Sequence, residues 1–272
     1  MNTISEPGAT DLAGREYWQR NWKEIDFRRA MDPRDPGLNN YVISRFHDLL
    51  RSIFVGLNPQ GKKLIELGCG SSEWLPYLAK EFGFKVSGLD YSEKGCELAS
   101  KILDAESIDG QIVVGDLFAP PPSLRRAFDV AVSFGVVEHF TDTAGCLEAM
   151  ADFLLPGGHL FTLIPNMTGV PGAIQRRVDK SVYAKHVPID RAALGQAHRA
   201  AGLKVMFCDY FLACNLGVIN IESWKSRPLI HSSAVRIRSV LSKLVWVMEA
   251  RLPFLRPNRW TSPYIVCYAM KP

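Results

Sequence analysis

Lys62-Lys63-Leu64-Ile65-Glu66-Leu67-Gly68-Cys69-Gly70-Ser71-Ser72 sets the architecture of this 272-residue chain. Two lysines lead into a short apolar run that stops at Gly68 and Gly70, and a helical pattern opens at Trp74. The order is strand, tight turn, helix. Glycine at such a turn permits positive φ and leaves no Cβ between the backbone and a ligand held at the helix N-terminus. The third glycine of a dinucleotide fingerprint is missing, because Glu73 stands in its place, and no G-x-x-x-x-G-K-S/T phosphate loop occurs. Carboxylates at Glu66 and Glu73 would repel a pyrophosphate and suit a ligand that carries an ammonium or sulfonium.

Downstream, helical and strand patterns alternate regularly, which predicts a parallel sheet covered on both faces. A helix over about 73–82 precedes the strand Phe84-Lys85-Val86-Ser87-Gly88-Leu89-Asp90. Asp90 closes that strand about twenty residues after Gly70, the interval at which a doubly wound fold brings an acid to the end of the adjacent strand. A carboxylate there can accept from both hydroxyls of a ribose. Residues 111–118 read as a third strand ending in a second acid, Asp116, and 128–135 as a fourth.

Glu66-x-Gly68-x-Gly70, followed by Asp90 and Asp116 at successive strand ends, resembles the class I S-adenosylmethionine-dependent methyltransferases over about residues 64–166. The family often has a third glycine where this chain has Ser72. The resemblance implies a Rossmann-like, doubly wound, mostly parallel α/β sheet of seven strands whose last strand, 262–270, is antiparallel and inserted beside the fifth. It implies S-adenosyl-L-methionine as cofactor, held by Glu66, Gly68, Cys69, Gly70, Asp90, Tyr91, Asp116, Leu117 and Phe134. Within that set Asp116 would accept from the adenine amino group and Leu117 would touch the ring.

The fourth strand runs into Val136-Val137-Glu138-His139-Phe140. Ligands of open α/β sheets sit beyond the carboxyl ends of the strands, so Glu138 and His139 are placed where a methyl group would be transferred. An oxygen or amine acceptor must lose a proton, and histidine is suited to take it near neutral pH. A histidine that only shapes the floor of the site is the other reading, and the sequence does not choose between them. The fifth strand, 159–166, follows a turn at Leu155-Pro156-Gly157-Gly158 and leads into a segment, 167–188, that reads as loop-rich and basic. The resemblance places the acceptor pocket there, which adds His186 to the catalytic candidates and Asn166 and Tyr183 to the substrate-binding ones. The Glu-His pair is similar to that of quinone-precursor O-methyltransferases and of cyclopropane-forming lipid enzymes. Motifs of amino-methylating nucleic-acid enzymes and the Pro-Cys of cytosine-carbon methylases are absent, which disfavours nucleic acid as substrate.

Four parts follow: an N-terminal helical cap (1–60), the cofactor-binding core (61–212), an insertion (213–261) and the last strand (262–272). In the cap, Tyr17, Trp18, Trp22 and Phe27 crowd one segment, with Trp18 and Trp22 on one helical face; they read as a packing layer or as a lid that touches the substrate. In the insertion, residues 225–260 hold eight cations against the single acid Glu249, in a chain of net charge +4, so the remainder is net acidic. Ile230, Ala234, Ile237, Leu241, Leu244 and Met248 recur there at helical spacing, with Trp246 and Leu252-Pro253-Phe254-Leu255 adding apolar mass. That stripe reads either as packing against the sheet or a second copy in a homodimer, or as contact with an anionic membrane or lipid-linked substrate. The opening octapeptide has no secretory pattern and no run reaches a membrane span, so a cytoplasmic protein, membrane-peripheral at most, is expected. The six scattered cysteines read as reduced thiols, and no metal-ligand set is read from the sequence. The expectation is methyl transfer to a small-molecule acceptor at oxygen. Nitrogen, sulfur or lipid carbon as acceptor, or a catalytically silent cofactor-binding partner subunit, stand as alternatives.

Overall fold

The computed structural model describes residues 10–23, 30–35, 37–252 and 255–272; Phe27, the Pro253-Phe254 pair and the opening octapeptide lie outside them. The chain enters through α1 (Arg15–Lys23) and α2 (Tyr41–Phe54), then alternates through β1 (Lys63–Leu67), α3 (Trp74–Phe82), β2 (Lys85–Asp90), α4 (Glu93–Ala105) and β3 (Gly110–Val114). The second half contains β4 (Phe128–Phe134), α5 (Thr143–Ala151), β5 (Leu154–Pro165), α6 (Val170–Val178), α7 (Lys180–Tyr183) and α8 (Arg191–Ala200). It closes with β6 (Lys204–Phe211), α9 (Pro228–Arg251) and β7 (Tyr264–Met270).

The strands form one sheet in the order β3-β2-β1-β4-β5-β7-β6, parallel along β3 to β5, with β7 antiparallel to both of its neighbours. Alternation along β1 explains the two layers. Ile65 and Leu67 point into a core closed by Cys146, Leu147 and Met150 of α5 and Leu194 of α8. Leu64 points the other way, into a core closed by Phe46 and Leu50 of α2, Leu75 and Leu78 of α3 and Ala99 of α4. Each fully buried leucine contributes about 1.5–3 kcal/mol, so the continuous apolar runs of the central strands supply the driving force for this layering. Strand order reverses between β1 and β4, and the crevice of a doubly wound sheet opens there, at the carboxyl ends of the strands.

Three sequence expectations change. The third strand ends at Val114, which leaves Asp116 on the turn that follows rather than in the strand. Leu155-Pro156-Gly157-Gly158 is not a free turn: β5 begins at Leu154, shifts register against β4 between Phe128 and Val130, and pairs Gly157 and Gly158 with Lys271. The 167–188 segment is largely helical, because Asp179 ends α6 and its carboxylate caps α7 by accepting from the N–H of Ser181 and Val182. No helix among the described residues is long and apolar enough to cross a membrane, and all six cysteines are free thiols.

Candidate active site

The β1–α3 turn is shaped by two glycines at positive φ, 74° at Gly68 and 44° at Gly70. A Cβ on Gly68 would lie 2.4 Å from Val136, and one on Gly70 would lie 2.4 Å from the ring of Trp22, so any side chain would collide with a wall of the crevice. Asp90, at the end of β2, ties the turn down. Its Oδ2 accepts from Gly70 N–H at 2.8 Å and its Oδ1 from Ser92 N–H at 2.7 Å. Burial pushes the Asp90 carboxyl up, and these two N–H donors pull it back.

Glu66 is 3% exposed. Burial pushes its carboxyl up to about 8, and the hydroxyl of Ser72, which donates to Oε2, works in the opposite direction. Ser72 also accepts from the N–H groups of Trp74 and Leu75, at 3.0 and 3.1 Å, and so satisfies the start of α3. The serine at the place of the third glycine thus links the acid of β1 to the helix that follows.

At the end of β4 a 3-10 turn over Val137–His139 turns Glu138 and His139 into the interior. Two hydrogen bonds fasten the 185–187 loop to this turn: Val187 N–H donates to the Glu138 carbonyl at 2.7 Å, and His139 Nδ1 donates to the Lys185 carbonyl at 2.7 Å. The loop thereby sets the His186 ring 4.7 Å from that of His139. His186 Nδ1 is committed in the same way, to the carbonyl of Val182 at 2.8 Å. A carbonyl only accepts, so both rings carry the proton on Nδ1 and keep the Nε2 lone pair. Burial lowers both imidazoles, that of His186 to about 4, and pushes Glu138 up to about 8. Oε2 of Glu138 is buried and has no hydrogen-bond partner among the described residues.

The N-terminal segment roofs this site. Asp11 bridges to Phe140, Leu12 N–H donates to the His139 carbonyl at 2.8 Å, and Asp11 accepts from Tyr91 Oη at 2.9 Å. Anchored there, α1 lays its rings across the crevice. Trp18 meets His139 edge-on at 5.4 Å and stacks on Trp22 at 5.5 Å, while Tyr17 lies under the Lys185 ammonium at 4.8 Å. Tyr17, Trp18 and Trp22 of the cap therefore span the distance from the histidines to Gly70.

Other expected site residues are placed less directly. Cys69 is buried with its thiol against Gly88. Phe134 stacks on Trp74 at 4.4 Å. Asp116 is exposed and accepts from Phe118 N–H at 2.9 Å, whereas Leu117 is packed into the core, which leaves Phe118, in contact with Phe140, as the exposed apolar neighbour of that acid. Asn166 needs correction as a substrate contact. It is fully buried, its amide donates to the carbonyls of Arg259 and Ser262, and its oxygen accepts from Thr168, so it anchors the loop before β7. Tyr183 is half-buried on the last turn of α7. Asp11 and Lys185 were not expected. Lys185 acts on His139 through a main-chain oxygen, which has no signature in the sequence, and Asp11 sits in a polar segment without a motif.

The crevice fits S-adenosyl-L-methionine: two glycines that admit no Cβ, a buried carboxylate suited to a cationic group, and a second carboxylate at the end of β2. The methyltransferase domain family model matches residues 38–206. A ubiquinone biosynthesis O-methyltransferase of Thiobacillus denitrificans is 32% identical over 154 residues, 53% of this chain and 65% of that protein. The 27-O-demethylrifamycin SV methyltransferase of Amycolatopsis mediterranei is 31% identical over 152 residues, 53% of this chain and 54% of its own length. The chain thus spans less than two thirds of either relative. The crystal structure of geranyl diphosphate C-methyltransferase from Streptomyces coelicolor shares the fold, with a TM-score of 0.59 at 15% identity over 97% of this chain and all of that one. Seven strands in this order, the glycine turn with its two acids, and a family model covering more than half of the residues place the chain in the class I S-adenosylmethionine-dependent methyltransferase family.

Proposed function

We propose that this protein transfers a methyl group to a hydroxyl of a small-molecule acceptor. The observation that carries the reading is the cluster of buried Glu138 and His139 with half-buried His186 under the Tyr17-Trp18-Trp22 roof, on the same crevice as the glycine turn. In this reading Asp90 accepts from the ribose hydroxyls, Glu66 meets the cationic amino-acid end of the cofactor and Asp116 takes the adenine amino group. The bound cofactor supplies an electrophilic methyl group on a sulfonium. The protein holds the acceptor in line with it, excludes water through the aromatic roof and accepts a proton. His139 is the proton acceptor, because its Nδ1 is committed to the Lys185 carbonyl and its Nε2 lone pair remains. Methylation at oxygen is supported by the relatives, whose names specify O-methyl chemistry. The test is incubation of the protein with methyl-labelled cofactor and metabolite extracts, followed by NMR of the labelled product. A methoxy carbon is expected. An N- or S-methyl product would change the acceptor class, and absence of transfer with cofactor binding intact would make the chain a silent partner subunit.

We propose further that α9 rests on an anionic lipid surface. Its apolar stripe does not pack inward as one reading of the sequence had it: Ile230, Ile237, Leu241, Leu244 and Met248 are exposed. The face turned to the protein is more polar. Ser242 accepts from Leu216 N–H at 2.9 Å, Trp246 Nε1 donates to the Cys214 carbonyl at 2.7 Å and stacks on Tyr41, and Arg238 donates to the Ile219 carbonyl. Arg227, Arg236 and Arg251 are exposed with the stripe. A second copy laid on this face across a two-fold axis would bring like charges together, whereas anionic headgroups complement them.

A further inference from the structure

From the way the two imidazoles are anchored beside a buried carboxylate, we infer that Glu138, His139 and His186 form a binding site for one divalent transition-metal ion. One ligand atom from each of the three residues lies within 4.8 Å of the others. A tetrahedral site with bonds of about 2.0–2.1 Å puts its ligand atoms about 3.3–3.4 Å apart. The three side chains would have to draw together from the 4.8 Å spread to close on an ion.

Three features set this cluster apart from a chance meeting of polar groups. First, each histidine donates its Nδ1–H to a main-chain carbonyl, Lys185 for His139 and Val182 for His186, at 2.7 and 2.8 Å. That second bond fixes the tautomer, holds the ring orientation and leaves Nε2 as a ligand, as metal-bound histidines require. Secondly, Glu138 is 1% exposed and its Oε2 has no partner among the described residues. A buried carboxylate oxygen without a donor is costly, and a cation satisfies it. Thirdly, the loop that delivers His186 is itself bonded to the turn that carries Glu138, through Val187 N–H, so the three ligands belong to one bonded unit.

Two imidazoles and one carboxylate suit zinc, cobalt, iron or nickel better than magnesium, which prefers oxygen ligands throughout. Three protein ligands leave one position of a tetrahedral site open. This inference rests on the proposed function only in placing an acceptor hydroxyl at that position; with Nε2 bound to the ion, His139 would be a ligand in place of the proton acceptor, and the ion would lower the hydroxyl pKa so that its proton is lost to solvent before transfer.

The experiment uses the full chain, stripped with chelator and titrated with Zn2+, then with Co2+ as a spectroscopic probe. One Zn2+ per chain after gel filtration is expected, together with visible Co2+ absorption of low-symmetry nitrogen and oxygen coordination. Glu138→Gln and His186→Ala should each weaken Zn2+ by more than the roughly 10–100-fold that loss of an outer-shell partner costs. Circular dichroism and calorimetry with S-adenosylhomocysteine on the same samples identify folded variants. Binding by the wild type that is lost in both folded variants supports the site. No binding by the wild type, or equal binding in both variants, overturns it. If S-adenosylhomocysteine also fails to bind the wild type, the methyltransferase reading falls separately.

Discussion

A carboxylate buried without a cation holds its proton, and Glu66 illustrates the consequence for cofactor binding. Its carboxyl lies near 8 in the folded chain, raised by burial, so at neutral pH the residue is mostly protonated. The sign follows directly. The folded state retains this proton while the unfolded state releases it near the ordinary carboxylate value, so Glu66 reduces stability progressively as pH rises from about 4.3 to about 8. A cationic ligand reverses the preference and expels the proton. S-adenosylhomocysteine affinity should therefore rise from pH 6 to about 8, with proton release visible as a dependence of calorimetric heat on buffer ionisation enthalpy. Glu66→Gln should remove the proton release and weaken binding at pH 8. The ligand's own ammonium, near 7.7–8.0, affects wild type and variant alike, so the difference between them isolates Glu66. An unchanged proton release in the variant would rule this account out. Glu66 and Asp90 were legible in the sequence because strand ends in a doubly wound fold have fixed places. Asn166 was misread for a physical reason: the reading put it on the last residue of the fifth strand, which ends one residue earlier, and only packing reveals that carbonyls of Arg259 and Ser262 take up its amide.

At the scale of elements, α9 separates what periodicity fixes from what it does not. Helical spacing of apolar residues identified the helix, yet the face that packs is chosen by the hydrogen bonds that Ser242 accepts from Leu216 N–H and that Trp246 and Arg238 donate to the carbonyls of Cys214 and Ile219. Each such side chain meets an otherwise unpaired main-chain group, and that constraint outweighs the apolar stripe. The same holds for α6 and α7, where glycine and proline suggested a loop; Pro171 sits in the first turn of α6, where it needs no N–H partner, and Asp179 supplies a cap. If α9 rests on lipid, the protein should sediment with anionic vesicles and not with neutral ones, and salt should release it. Arg227→Gln, Arg236→Gln and Arg251→Gln together should cost about 1 kcal/mol per cation near the surface, roughly a hundredfold in partitioning. A concentration-dependent dimer in sedimentation velocity, with no vesicle retention at low salt, would instead assign the face to a second copy.

For the whole molecule, the crevice is closed by segments far apart in the chain: the α1 roof, the β1 turn, the end of β4 and the 185–187 loop. Binding that bridges them acts on global stability, because the ligand engages the folded state alone. At a hundred times its dissociation constant, S-adenosylhomocysteine should stabilise the protein by about 2.7 kcal/mol. For a chain of this size that is a rise of roughly 5–10 °C in Tm. Asp90 gives this prediction a discriminating arm. Its two oxygens already accept from Gly70 and Ser92, so ribose hydroxyls would use the remaining lone pairs, and Asp90→Ala loses two things together. The unliganded Tm should fall, because two buried N–H groups lose their acceptor at about 1–3 kcal/mol each. The ligand-induced rise should also shrink by half or more, because charge-assisted bonds of about 1.5–3 kcal/mol leave the complex. Asp90→Asn keeps one of the two acceptor oxygens, so the unliganded Tm should fall by less than in Asp90→Ala while the ligand-induced rise is still reduced. A variant whose unliganded Tm falls while its ligand-induced rise stays at the wild-type value would confine Asp90 to holding the turn and assign the ribose to another residue.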